Sequence, residues 1–100
     1  MIKKRFFKTK DEVEVTFEWP KGDIKNIALA ADFNQWEVTP MKLNKKTKTY
    51  NLKVRLPKNQ SYQFRYLINE RLWENDPKAD GYIPNNYGDD NSILSTSEAV

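Results

Sequence analysis

Three side chains, Trp36, Arg65 and Trp73, carry most of the chemistry this sequence can offer. Trp36 ends the stretch ADFNQW, residues 31–36, directly after Asn34 and Gln35. A buried tryptophan normally sits inside an apolar pattern, so Trp36 either folds back onto a core or is held out on a loop. The pattern alone leaves both open, and Trp73, just after the turn residues Asn69 and Glu70, could equally cap a core. Arg65 has the opposite parity to Phe64 and Tyr66 in a strand-like run, so it faces away from them. The face of an aromatic ring covers the apolar face of a glucose ring, while arginine and amide groups bond its hydroxyls. Two exposed tryptophans, an arginine and several amides would therefore suit a carbohydrate. Removing on the order of 50–100 Å² of apolar surface per stacked sugar would contribute about 1–2.5 kcal/mol. Two such sugars, less the cost of association, imply an affinity of roughly micromolar to millimolar, which suits a polymer with many equivalent sites.

Composition removes several other chemistries. The 100 residues contain no histidine, the commonest general base and metal ligand, and no cysteine for a disulfide or thiolate site. No cofactor or metal is expected. Glu12, Glu14 and Glu18 share the solvent parity of one strand, and Asp89 and Asp90 are neighbours in a loop. Neither set resembles the two carboxylates held across a cleft that a glycosidase needs, so an enzyme is not expected. Hydrophobic residues make up 38% and aromatics 13%, enough for one globular domain. The net charge of +3 is mild, and the lysines at 3, 4, 8, 10 and within residues 42–48 read as solvated loop and edge residues. The N-terminus MIKKRFFKTKDE offers only Phe6–Phe7 where a secretory signal needs roughly 7–15 apolar residues, and no window approaches the ~18 of a membrane span. The expected setting is cytoplasmic, without membrane or nucleic-acid partners.

Period two dominates the chain that must position these groups. VEVTFEW, residues 13–19, puts Val13, Val15, Phe17 and Trp19 on one face, and parity assigns Trp19 to the core. IALAA (27–31) is nearly continuous apolar strand; residues 49–56 turn Tyr50, Leu52, Val54 and Leu56 inward, and residues 61–68 do so with Tyr62, Phe64, Tyr66 and Ile68. A tight hairpin at Asn69–Glu70 leads into a short strand, and a last strand lies near 92–95. About seven short strands predict an all-β, immunoglobulin-like sandwich over residues 11–95, with a basic segment 1–10 before it and a polar tail 96–100. Residues 74–91 form a long connection rich in Asn, Asp, Gly and Pro, in which Asp76–Pro77 starts a turn and Tyr82 and Tyr87 suggest packing.

The ordered set FNQW, FRYL, WENDP and GDDNS is similar to a known family. It resembles the early-set glycogen-binding modules of carbohydrate-binding module family 48, found beside glycogen branching and debranching enzymes and in the β-subunit of AMP-activated protein kinase. The resemblance covers about residues 11–95. It implies that Trp36 and Trp73 stack on glucose units of an α-1,4-linked chain and that Arg65 bonds a sugar hydroxyl. It also implies that Tyr87 abuts the sugars and that Asp89 and Asn91 supply polar contacts, with Phe33 the inward partner of Trp36. The hairpin NERLW is longer than in the kinase-type pattern.

The expected function is thus non-catalytic binding of an α-glucan such as glycogen, starch or a maltooligosaccharide. The alternative is a scaffold that docks on a kinase or a glycogen-metabolising enzyme with residual or no sugar binding. Single-stranded nucleic acid stacking on SYQFRYLI is a third reading, opposed by the core's need for that face.

Overall fold

The computed structural model describes residues 1–97, and the alternations become strands because each buries one face. In chain order the strands are β1 (Ile2–Phe6), β2 (Glu12–Pro20), β3 (Ile27–Ala31), β4 (Thr39–Pro40), β5 (Lys42–Asn44), β6 (Thr49–Pro57), β7 (Ser61–Ile68), β8 (Leu72–Glu74), β9 (Gly81–Pro84) and β10 (Asp90–Ser95). They form two antiparallel sheets, with the expected all-β, immunoglobulin-like sandwich. One runs β1-β2-β6-β5; the other runs β4-β3-β7-β10-β9, with β8 paired to Tyr66–Ile68 of β7, beyond the stretch that β10 pairs. Among the described residues no helix is long and apolar enough to cross a membrane, and no cluster of acidic, histidine or cysteine side chains could hold a metal.

The core lies between the sheets, where Val13, Val15 and Phe17 of β2 meet Leu29, Phe64, Tyr66 and Leu94, all fully buried. Phe17 packs edge-on against Phe64 at 5.2 Å, and Phe64 against Tyr66 at 5.7 Å. Such pairs add about 0.5–1.5 kcal/mol each beyond the area they bury. Trp19 lies on Tyr66 at 4.9 Å and is only partly buried. With Phe64 and Tyr66 sealed inside, only Tyr62 of the aromatic face of β7 is partly exposed, and it packs edge-on against Phe33.

The ordered sheet begins earlier than residue 11. β1 pairs with β2 from Ile2↔Phe17 to Phe6↔Val13, and Ile2 and Phe6 pack against the core. Its five residues hold only two apolar side chains, Ile2 and Phe6, around the cations Lys3, Lys4 and Arg5, too weak a signal to read without the partner strand. As an outer strand it carries charge where an apolar edge would invite pairing between molecules. The connection 74–91 likewise has structure of its own, since β9 pairs with β10. At the other end Thr96, expected in the polar tail, is buried; its hydroxyl donates to the Pro57 carbonyl at 2.8 Å and accepts from the Gln60 N–H. The rest of that tail, residues 98–100, lies outside the described residues.

Asp76 is the main buried charge. It opens the expected turn, with the Ala79 N–H donating to its carbonyl, yet its side chain is fully buried. A buried carboxylate is tolerable only when its lone pairs are occupied. The Tyr66 hydroxyl donates to it at 2.8 Å, the Lys78 N–H donates at 2.8 Å, and the Met1 α-ammonium lies at 2.7 Å. Tyr82 reinforces the turn by donating to the Asp76 carbonyl. Burial, and then the negative charge of Asp76, hold the Tyr66 hydroxyl far above the usual tyrosine range. The unfolded chain releases that proton near pH 10 while the folded chain keeps it, so the contribution is complete below pH 10 and is lost as pH rises above it. The urea midpoint is expected to fall steeply above about pH 10, and more gently in Tyr66→Phe; equal slopes in the two proteins would contradict the assignment.

Candidate functional site

The outward face of β7 supplies the floor of a cleft because the alternation that sends Phe64 and Tyr66 into the core sends Gln63 and Arg65 out. Next to it, on β10, Ser92 and Leu94 point in and Asn91 points out. Three segments raise the walls around this floor.

The first wall is the loop after β3. Asp32–Asn34 make a single 3₁₀ turn, and Gln35 and Trp36 follow at φ 56° and 61°. Left-handed backbone at two successive residues with side chains costs on the order of 1–2 kcal/mol each. The turn holds because Asn34 bridges it: its side-chain oxygen accepts from the Ala31 N–H at 3.0 Å, and its amide donates to the Thr39 hydroxyl at 3.1 Å. The Trp36 N–H donates back to the Ala31 carbonyl. Phe33 points inward, 6.0 Å from Phe17 and 5.7 Å from Tyr62, while the reversal turns Trp36 out to 40% exposure.

The second wall is β8. Asn69 and Glu70 are both left-handed, which makes the tight turn from β7, and the Asn69 side chain accepts from the N–H groups of Lys25 and Asn26. The register sets Trp73 opposite Leu67 on the outer face, 41% exposed, with the Arg65 guanidinium 5.9 Å from its ring.

The third wall is the β9–β10 hairpin, organised by Asn85. Its side-chain oxygen accepts from the N–H groups of Tyr87 and Asp89, and its own N–H donates to the Asp89 carbonyl. Its amide donates to the Asn91 oxygen at 3.1 Å, and the Asn91 amide donates to Gln63 at 3.0 Å. Tyr87 stands at the tip, 91% exposed.

These walls enclose a cleft of about 680 Å³. Trp36, Arg65, Trp73, Tyr87 and Asn91 all line it, and Asp89 adjoins it as the ion-pair partner of Arg65 at 3.0 Å. Gln63, Asn85 and Asp32 line it as well without having been singled out in the sequence. Gln63 shares the outward parity of Arg65, a signal that could have found it; Asn85 becomes legible only once the hairpin is formed. Arg65 Nε is buried without a hydrogen-bond partner among the described residues, so the guanidinium is held by Asp89 and the indole rather than by a full set of acceptors. A larger depression, about 970 Å³, lies over the outer face of the four-stranded sheet among Lys3, Lys42, Lys53 and Thr49. Among the described residues Trp19 is its one aromatic lining residue, and it is packed on Tyr66.

Two indoles, an arginine and several amides thus share one cleft on one sheet of an antiparallel sandwich. The chain belongs to the family described as the glycogen recognition site of AMP-activated protein kinase, whose model matches residues 13–99. The family is a non-catalytic one that recognises glycogen. No curated protein matches the sequence. Among solved structures, the enterobactin esterase FES from Shigella flexneri is similar, with a TM-score of 0.75 at 14% identity in the presence of 2,3-di-hydroxy-N-benzoyl-glycine. In the presence of enterobactin the TM-score is 0.73, also at 14% identity. Both matches cover 95% of this chain and 32% of that one. At this identity the likeness concerns the fold alone, and the chain spans about a third of the esterase's length.

Because Asn34 satisfies the backbone of the strained turn, Asn34→Ala is expected to lower stability by about 1–2 kcal/mol. A urea titration checks this, and an unchanged midpoint would mean the turn is held by other contacts.

Proposed function

We propose that this chain binds α-1,4-linked glucan without altering it, by stacking glucose units on Trp36 and Trp73. The observation that carries the reading is the pair of half-exposed indoles on one cleft, 40% and 41% exposed, with Arg65 beneath Trp73. Isolated tryptophans on a surface are unremarkable, but two around a floor of arginine and amides match the alternating apolar and hydroxylated character of a sugar chain. In this reading Arg65 and Asn91 contact hydroxyls, Asp89 accepts from one while holding Arg65, and Tyr87 closes over the sugars from the hairpin tip. The cleft is open, so it admits the middle of a long chain. The cysteine-free composition fits a cytoplasmic setting.

A second reading, a scaffold docked on a kinase or a glycogen-metabolising enzyme, is favoured by exposed apolar groups beyond the two tryptophans. Tyr82 and Ile83 on the outer strand β9 are 47% and 38% exposed, and Leu72 of β8 is 55% exposed. Both roles could coexist, since the glucan cleft occupies only one face.

Affinity electrophoresis in gels with and without glycogen tests the first reading. Wild type should be retarded, and Trp36→Ala and Trp73→Ala should each weaken binding roughly five- to sixtyfold, the equivalent of about 1–2.5 kcal/mol. A wild type that runs unretarded would remove the glucan reading and leave the scaffold.

A further inference from the structure

We propose that this cleft selects uncharged glucan and discriminates against glucan bearing phosphate groups, a property that rests on the glucan reading above. Among the described residues the single cation lining the cleft is Arg65, set against Asp32 in the lining and the adjoining Asp89. The Arg65 side chain is 14% exposed and that of Asp89 is 60% exposed, so the ion pair presents its negative end to a ligand. Asp32, exposed on the opposite side, has one oxygen engaged by the Gln63 N–H at 2.7 Å. The chain as a whole carries a net charge of +3, so this local excess of negative charge runs against the overall balance. The lysines gather elsewhere: Lys3, Lys42 and Lys53 line the depression on the outer face of the other sheet.

An arginine in a sugar site could serve as a hook for an anion, but here a carboxylate already stands beside it and offsets its charge. Asp89 holds it at 3.0 Å and the Trp73 ring lies 5.9 Å from it. A sugar hydroxyl both donates and accepts, so it can accept from Arg65 while donating to the carboxylate beside it. A phosphate dianion cannot donate. Placed beside the guanidinium it would meet the exposed oxygens of Asp89, and it has no proton to give them. Dephosphorylated stretches of a glucan are therefore the preferred ligand.

The test is calorimetric titration of the full chain with maltoheptaose and with maltoheptaose carrying one 6-phosphate, at low and at high salt. Wild type should bind the phosphorylated sugar about five- to tenfold more weakly at low salt, from a dianion facing one excess carboxylate at roughly 7 Å in a water-like dielectric. The gap should narrow at high salt and in Asp89→Asn and Asp32→Asn. Binding of both sugars with equal affinity, or tighter binding of the phosphorylated one, would overturn the proposal while leaving the glucan reading intact. A gap indifferent to salt and to both substitutions would overturn it too, by making the exclusion steric. If neither sugar binds, the glucan reading falls and this proposal with it.

Discussion

Strand β7 has to serve two surfaces at once, and the rest of the molecule follows from that constraint. Its inward residues, Phe64, Tyr66 and Ile68, are buried and join the sheets through contacts with Phe17 and Trp19. Its outward residues, Gln63 and Arg65, floor the cleft. Because successive side chains alternate strictly, any slip of register would exchange the two sets, placing an arginine in the core and two aromatic rings in water. The packing that stabilises the sandwich therefore also fixes where the polar groups of the cleft stand.

The walls are made differently. Each depends on left-handed backbone or an asparagine that substitutes for missing backbone partners: Gln35 and Trp36 with Asn34, Asn69 and Glu70 with the Asn69 side chain, and the hairpin with Asn85. Asparagine suits these places because its short amide can accept and donate close to its own backbone. Trp36 is the costliest of these residues, a bulky side chain in a left-handed conformation. Such strain persists only where surrounding contacts hold it, and here Phe33 anchors the loop in the core one turn earlier.

Two ion pairs show how setting changes the role of charge. Asp76 is sealed within the fold and satisfied by Tyr66, Lys78 and the Met1 ammonium, so it organises the turn that begins the long connection. The Arg65–Asp89 pair lies at the surface, where water weakens its contribution to stability. Its consequence is orientation, holding the guanidinium near the indole of Trp73 and turning the carboxylate toward the cleft.

The amino-acid sequence by itself determined the alternations of β2, β6 and β7, the choice of an all-β sandwich, and the ordered motifs that mark its family, because each is a local pattern of period or type. It also put Arg65 on the outside, from parity alone. Whether Trp36 pointed in or out was not decided by its neighbours; the left-handed reversal after Asn34, braced by Thr39 and by Phe33 in the core, decided it. Tertiary structure likewise made a strand of the basic residues 2–6, which carry too few apolar groups to declare one until β2 lies alongside. Only the folded chain brought Asp89 to Arg65 across 24 positions and linked Asn85, Asn91 and Gln63 through their amides. These contacts join separate strands and a hairpin tip, so they depend on register and turn geometry, which no local stretch of sequence contains.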